Sequence, residues 1–230
     1  MHDFFSVAVF PVALTLAAFR LGQLCQKKFK LPIFNPTLIG TVLVILFLLA
    51  TKMDVALYKS GMASLSWLMT PATICLAIPM YQQFQILKKS LPAIVAGVAA
   101  GAVTCLVFML VVCPLLGLDR ALTVSLMPKS VTTAIGVPLC DMYGGLGAVT
   151  TACIIITGII ANMMGVSFCK WFKITGEVAQ GVAFGTAGHV IGTTRANEVS
   201  PLTGAVSSLS LVVAGLLTAV LFPVFMGFLQ

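Results

Sequence analysis

Eight apolar runs, each near the roughly 20 residues that an α-helix needs to cross a bilayer, follow one another along this chain with only short polar connections. They lie at about 4–24, 33–51, 63–84, 91–117, 121–143, 146–172, 178–199 and 202–229. Such a pattern leaves no room for a water-facing domain between spans. The composition agrees, since 60% of the 230 residues are hydrophobic and 8% are charged, far less charge than the surface of a soluble domain carries. The chain reads as one all-α polytopic membrane domain, 1–230, with the lipid bilayer as its surroundings.

A net charge of +7 raises nucleic acid as a partner, but the basic residues sit in short clusters between apolar runs and form neither a face nor an arm. They read as markers of cytoplasmic loops, with no nucleic-acid partner. The seven cysteines contain no CxxC pair and lie mostly inside apolar runs, where they act as small hydrophobes. The first run follows Met1, His2 and Asp3 without a basic leader and precedes Arg20, Lys27, Lys28 and Lys30. It is expected to be retained as a span with its N-terminus outside.

Two runs differ from the others. The fifth, ALTVSLMPKSVTTAIGVPLCDMYGG, holds Pro128, Lys129, Pro138 and a glycine pair; the seventh, VAQGVAFGTAGHVIGTTRANEV, holds His189, Arg195 and Glu198 among glycines and threonines. Irregular backbone at membrane depth is tolerated only where protein or a watery cavity covers it, and segments of this kind line pathways. The expected architecture is about six full transmembrane helices plus two broken or re-entrant segments, arranged like transporters built on inverted repeats.

Charge counting favours a hairpin for the fifth run. If it returns to the outer side, Arg20, Lys27, Lys28, Lys30, Lys88, Lys89, Lys170 and Lys173 all face the cytoplasm, against Lys52, Lys59 and Arg120 outside. A full crossing would move Lys170 and Lys173 outside and weaken the asymmetry. The seventh run would then enter from the cytoplasmic side, and the two broken segments would approach from opposite faces.

Within MPKSVTT, Pro128 ends the preceding helix and suits the first turn of the next. Lys129, Ser130, Thr132 and Thr133 would then stand at a fresh helix N-terminus, where free N–H groups, hydroxyls and an ammonium suit a carboxylate or other small anion. The plainer alternative is that Lys129 reaches for the headgroups while the hydroxyls bond the preceding turn. In the seventh run Gly181, Gly185, Gly188 and Gly192 form one stripe if the helix is regular, a surface for close helix approach. His189 and Thr193 share a helical face, as a bonded core pair or as substrate contacts. Arg195 and Glu198 can form an ion pair, structural or coupled to transport.

Read together, NPTLIG, ICLAIPMYQQ, MPKSVTTAIG, GTAGHVIGTTRANE and GAVSSLSLVVAGLLTAVLFP resemble, in order and spacing, the LrgB/CidB family of bacterial membrane proteins, over nearly the whole chain. The resemblance implies a multi-pass protein of the bacterial inner membrane working with a small LrgA/CidA-type membrane protein as a homo- or hetero-oligomer. It implies either antiholin-like or holin-like regulation of murein hydrolase export and autolysis, or transport of pyruvate or of glycolate and glycerate. The family's Pro-Lys-Ser-hydroxyl motif falls on Pro128, Lys129, Ser130, Thr132 and Thr133. Its second motif falls on Ala187, Gly188, His189, Gly192, Thr193 and Glu198. Gly188 stands where many relatives have serine, and Val137–Asp141 replaces a more polar stretch.

The resulting expectation is transport of a small monocarboxylate held by Lys129, with Ser130, Thr132, Thr133, His189 and Thr193 around it and without a cofactor or a metal. The alternative is a holin-like or antiholin-like regulator, which acts by assembly and needs no anion site. A hydrolase built on Ser130 with Lys129 or His189 as base is disfavoured, because adjacent helical residues do not face each other, and no enzymatic activity is expected.

Overall fold

The computed structural model describes residues 2–29, 36–75 and 77–229. Lys30, the Asn35 that opens NPTLIG and the Leu76 of ICLAIPMYQQ lie outside them. No strand occurs among the described residues, as expected of backbone that must satisfy its own hydrogen bonds in lipid. The chain divides into two compact units, Met1–Cys75 and Leu76–Gln230.

The first unit is built on α1 (His2–Phe29) and α2 (Pro36–Thr51), followed by α3 (Val55–Gly61) and α4 (Ala63–Cys75). The α1–α2 pair closes where side chains are smallest. A Cβ on Gly22 would stand 2.7 Å from the Pro36 carbonyl oxygen, and one on Gly40 would touch the Phe19 backbone at 3.4 Å. Helix α3 is started by Asp54, whose carboxylate accepts the Ala56 N–H at 2.8 Å in the manner of an N-cap. Its Tyr58 hydroxyl bonds Thr15 Oγ1 of α1 at 2.6 Å.

The second unit comprises α5 (Ala77–Gln82), α6 (Phe84–Leu115), α7 (Arg120–Leu126), α8 (Thr133–Met142), α9 (Gly147–Trp171), α10 (Glu177–Val199) and α11 (Pro201–Met226). Within the stretch expected as the third span, 63–84, the described residues are helical over Ala63–Cys75 and Ala77–Gln82, and Gln83, which provides no side-chain cap, separates them from α6. Val9–Lys28, α6, α9 and Pro201–Leu229 are each long and apolar enough to cross a membrane, and α2 and α8 are shorter apolar helices. An all-helical polytopic membrane protein results. Helix α9 ends in Phe168, Trp171 and Phe172, with ring centroids 5.4–6.0 Å apart, beside Lys170 and Lys173. Aromatic rings next to lysines are what a membrane–water interface selects.

Both broken segments are hairpins. In the fifth, Arg120 at the start of α7 donates to the Tyr143 carbonyl just after α8 at 3.4 Å, and Ser125 Oγ accepts the Leu146 N–H at 2.7 Å. The segment thus ends beside where it began. With 7 and 10 residues, neither limb approaches the roughly 30 Å of a bilayer core at about 1.5 Å per residue.

In the seventh, the reversal sits on one residue. His189 has φ 42° and ψ −136°, a region that side chains other than glycine's avoid. Along residues 177–188, Gly181 packs on Thr203 and Val206, and Gly185 on Ser207 and Ser210, so this limb runs parallel to α11. Along residues 190–199, Thr193 meets Ser207 and Asn197 lies against Gly204, so the second limb runs antiparallel to it. A Cβ on Gly192 would stand 2.6 Å from the Phe184 carbonyl oxygen, two residues that a straight helix would hold about 12 Å apart.

The four glycines therefore do not form a single stripe. Gly181 and Gly185 seat α11, Gly188 at the end of the first limb faces Ala161 of α9, and Gly192, past the turn at His189, lies against the Phe184 carbonyl of the first limb.

Candidate functional site

The two hairpins enter the second unit from opposite ends of α9. The connections 116–119 and 143–146 lie at its start, and the connection 172–176 lies at its end. Their tips come together along α9 at Ile154. The side chain of Ile154 touches Gly136 of α8, where a Cβ would come within 2.8 Å of it and 3.3 Å of the Pro128 carbonyl oxygen. The Ile154 carbonyl meets His189 Nε2 at 2.8 Å; since a carbonyl only accepts, Nε2 carries the proton. The imidazole lies over Gly158, where a Cβ would stand 2.6 Å from its ring.

Further hydrogen bonds hold the second tip. Thr193 Oγ1 donates back to the His189 carbonyl at 2.8 Å, which leaves the Ser207 hydroxyl, also at 2.8 Å, as donor to Thr193. Asn162 Nδ2 donates to the Ile191 carbonyl at 2.9 Å and to Thr194 Oγ1 at 3.0 Å. Backbone freed by a reversal inside an apolar protein needs such partners.

At the first tip the expected helix start is displaced. Pro128 is not in the first turn of α8; it lies with Lys129 and Ser130 in an irregular turn, and the helix starts at Thr133 with Thr132 as its N-cap. Two turn-type hydrogen bonds, Lys129 N–H to Leu126 O and Val131 N–H to Pro128 O, both 3.3 Å, hold the backbone there. They spend residues that a helix starting at Pro128 would have needed.

A cavity of about 490 Å³ lies between this turn, α6, the first limb of α10 and α11. Lys129 and Ser130 line it from the turn, Thr104 and Cys105 from α6, Thr186 from α10 and Thr218 from α11. Ser130 Oγ lies 3.4 Å from Cys105 Sγ. Half-buried Lys129 has no acidic or hydrogen-bonding side-chain partner among the described residues; the ion pair found there joins Arg195 to Glu198. Gly101 lets α10 approach α6, since a Cβ there would stand 2.7 Å from the Thr186 methyl.

The residues expected to form one site are thus divided. Lys129 and Ser130 reach the cavity. Thr132 and Thr133 do not line it, and Thr133 is exposed. His189 and Thr193 are buried in the second tip, engaged with Ile154 and Ser207. Arg195 and Glu198 pair with each other on the outside of the second limb. Ser130 and His189 bond different partners, so they are not a nucleophile and base pair in this arrangement.

Sequence reasoning passed over Thr186, Cys105, Asn162 and Ile154. Thr186 stands inside GTAGH, and its hydroxyl is buried without a partner. Asn162 was detectable as a lone amide in an apolar run. Nothing marks Ile154, because it acts through its carbonyl.

The LrgB-like family model matches residues 15–228. The chain is 34% identical over 221 residues, 96% of each chain, to a protein of Bacillus mycoides (strain KBAB4) named antiholin-like protein LrgB. It is 33% identical over the same extent to proteins of that name from Bacillus cereus (strain B4264) and Bacillus anthracis (strain CDC 684 / NRRL 3495). No solved structure matches it.

Proposed function

Since the chain belongs to the LrgB-like family, we propose that it is an antiholin-like protein of the bacterial cytoplasmic membrane that regulates murein hydrolase export and autolysis. The observation that carries this reading is 34% identity with an antiholin-like relative across 96% of the chain. The partner in this reading is a small LrgA/CidA-type membrane protein. The test is autolysis: a strain lacking the chain should lyse at an altered rate, and a copy expressed in trans should restore it. Unchanged lysis in the deletion strain would refute the reading.

A second reading, transport of small monocarboxylates, is favoured by one specific observation. An ammonium without a counterion among the described residues lines a cavity between the first hairpin tip, α6, the first limb of α10 and α11, and a cation in such surroundings is stabilised by an anionic guest. Lys129 would supply the charge and Ser130 a hydrogen bond. Proteoliposomes holding the purified chain, with and without the partner, should take up radiolabelled pyruvate or a related acid. The two readings separate at Lys129: assembly-based regulation tolerates its loss, and transport does not.

A further inference from the structure

We propose that the cavity beside Lys129 prefers monocarboxylates with an apolar body, branched or of medium length, over pyruvate and glycolate. This rests on the transport reading and selects within its substrate class.

The first argument is size. At about 30 Å³ for each water, a cavity of about 490 Å³ holds roughly sixteen, and a two- or three-carbon acid would leave most of it to solvent. The second is chemistry. Away from Lys129 and Ser130 the walls are largely apolar, with Gly97, Ala100, Phe108, Val182, Ala187 and Ala214 among them. They suit methylene groups, with Thr104, Cys105, Thr186 and Thr218 the polar side chains set among them.

The third argument is continuity. Thr104 and Phe108, both exposed, also belong to a neighbouring groove of about 400 Å³ along α6, whose other walls are Val103, Val107, Val111 and Val112. A carboxylate at Lys129 could extend its chain past Thr104 into that groove without meeting a charge. Both concavities belong to the second unit.

The experiment uses the full chain in lipid nanodiscs and measures binding of acetate, pyruvate, glycolate, 4-methyl-2-oxopentanoate, hexanoate and octanoate. Hexanamide serves as the uncharged control. Affinity should rise about three- to fourfold per methylene through the series, fall at least tenfold for every acid in Lys129→Ala, and be negligible for hexanamide. Ala100→Leu, at an exposed wall position, should reduce the gain with length and weaken hexanoate and octanoate more than pyruvate.

Octanoate from solution and oleate carried in the disc are separate arms. Displacement by either that depends on Lys129 upholds the class and identifies its source. If pyruvate or glycolate binds as tightly as hexanoate in a Lys129-dependent way, the preference is overturned and the transport reading stands. Hexanamide binding like hexanoate would reduce the effect to partition into lipid and overturn it. If no acid binds in a Lys129-dependent way, both fall.

Discussion

His189 donates its Nε2 proton to the Ile154 carbonyl at 2.8 Å, a bond that joins the tip of one hairpin to the α9 residue whose side chain packs beneath the other. The carbonyl already accepts a backbone N–H within α9, so the imidazole takes its second lone pair, and the bond finds the imidazole's buried N–H a partner. The same residue carries the positive φ that turns the chain. Two separable properties, a hydrogen bond and a backbone conformation, therefore sit on one side chain.

Replacing His189 should separate them. His189→Ala loses the bond, at about 0.5–1.5 kcal/mol for one hydrogen bond whose acceptor keeps its helical partner, and keeps the strained backbone. His189→Gly loses the same bond but adopts φ 42° freely, so it should be the more stable of the two by about 1 kcal/mol. Thermal unfolding in detergent checks the order; alanine equal to or better than glycine would contradict the reversal at this position.

The close approaches of α10 make a second test. A Cβ on Gly188 would lie 2.6 Å from Ala161 Cβ, so Gly188→Leu should destabilise by roughly 1–3 kcal/mol through overpacking. Gly188→Ala should cost less and be rescued by Ala161→Gly. Gly185→Leu meets the Ser207 backbone, which cannot yield, and should fail more severely. Gly176→Ala, whose new carbon would meet nothing nearer than 4.0 Å, is the neutral control. Protein yield and melting temperature provide the readout.

Topology follows from the hairpin and the charge distribution. Cysteines introduced singly at positions 170–176, in a background without the native thiols, should react with impermeant reagents only from the cytoplasmic side. Labelling from outside intact cells would place the end of α9 on the other face.

At the first tip, Lys129→Ala should greatly weaken carboxylate uptake, and Lys129→Arg should be only partly tolerated, because a planar guanidinium has a different reach. Ser130→Ala should cost about 0.5–1.5 kcal/mol in affinity, one hydrogen bond. Thr133→Ala, outside the cavity lining, should cost less than Ser130→Ala. Uptake at matched protein levels measures all four. Normal uptake by Lys129→Ala would show that Lys129 does not hold the substrate.

The apolar runs alone determined that this chain is a helical membrane protein, since about 20 consecutive apolar residues have no other stable use in water or lipid. Pro128 and Lys129 also marked a break in the fifth run, and the glycines and charged groups of the seventh marked it as irregular, without pointing to His189 as the residue on which it turns. Tertiary structure decided the rest. That His189 reverses the chain fully depends on α9 offering Gly158 and the Ile154 carbonyl at that point, and on α11 receiving both limbs; neither condition is visible in GTAGHVIG. The separation of Lys129 from His189 has the same origin. Residues of two broken segments share a site only if both turns point them into one space, and here one tip opens on a cavity while the other is spent on holding the fold.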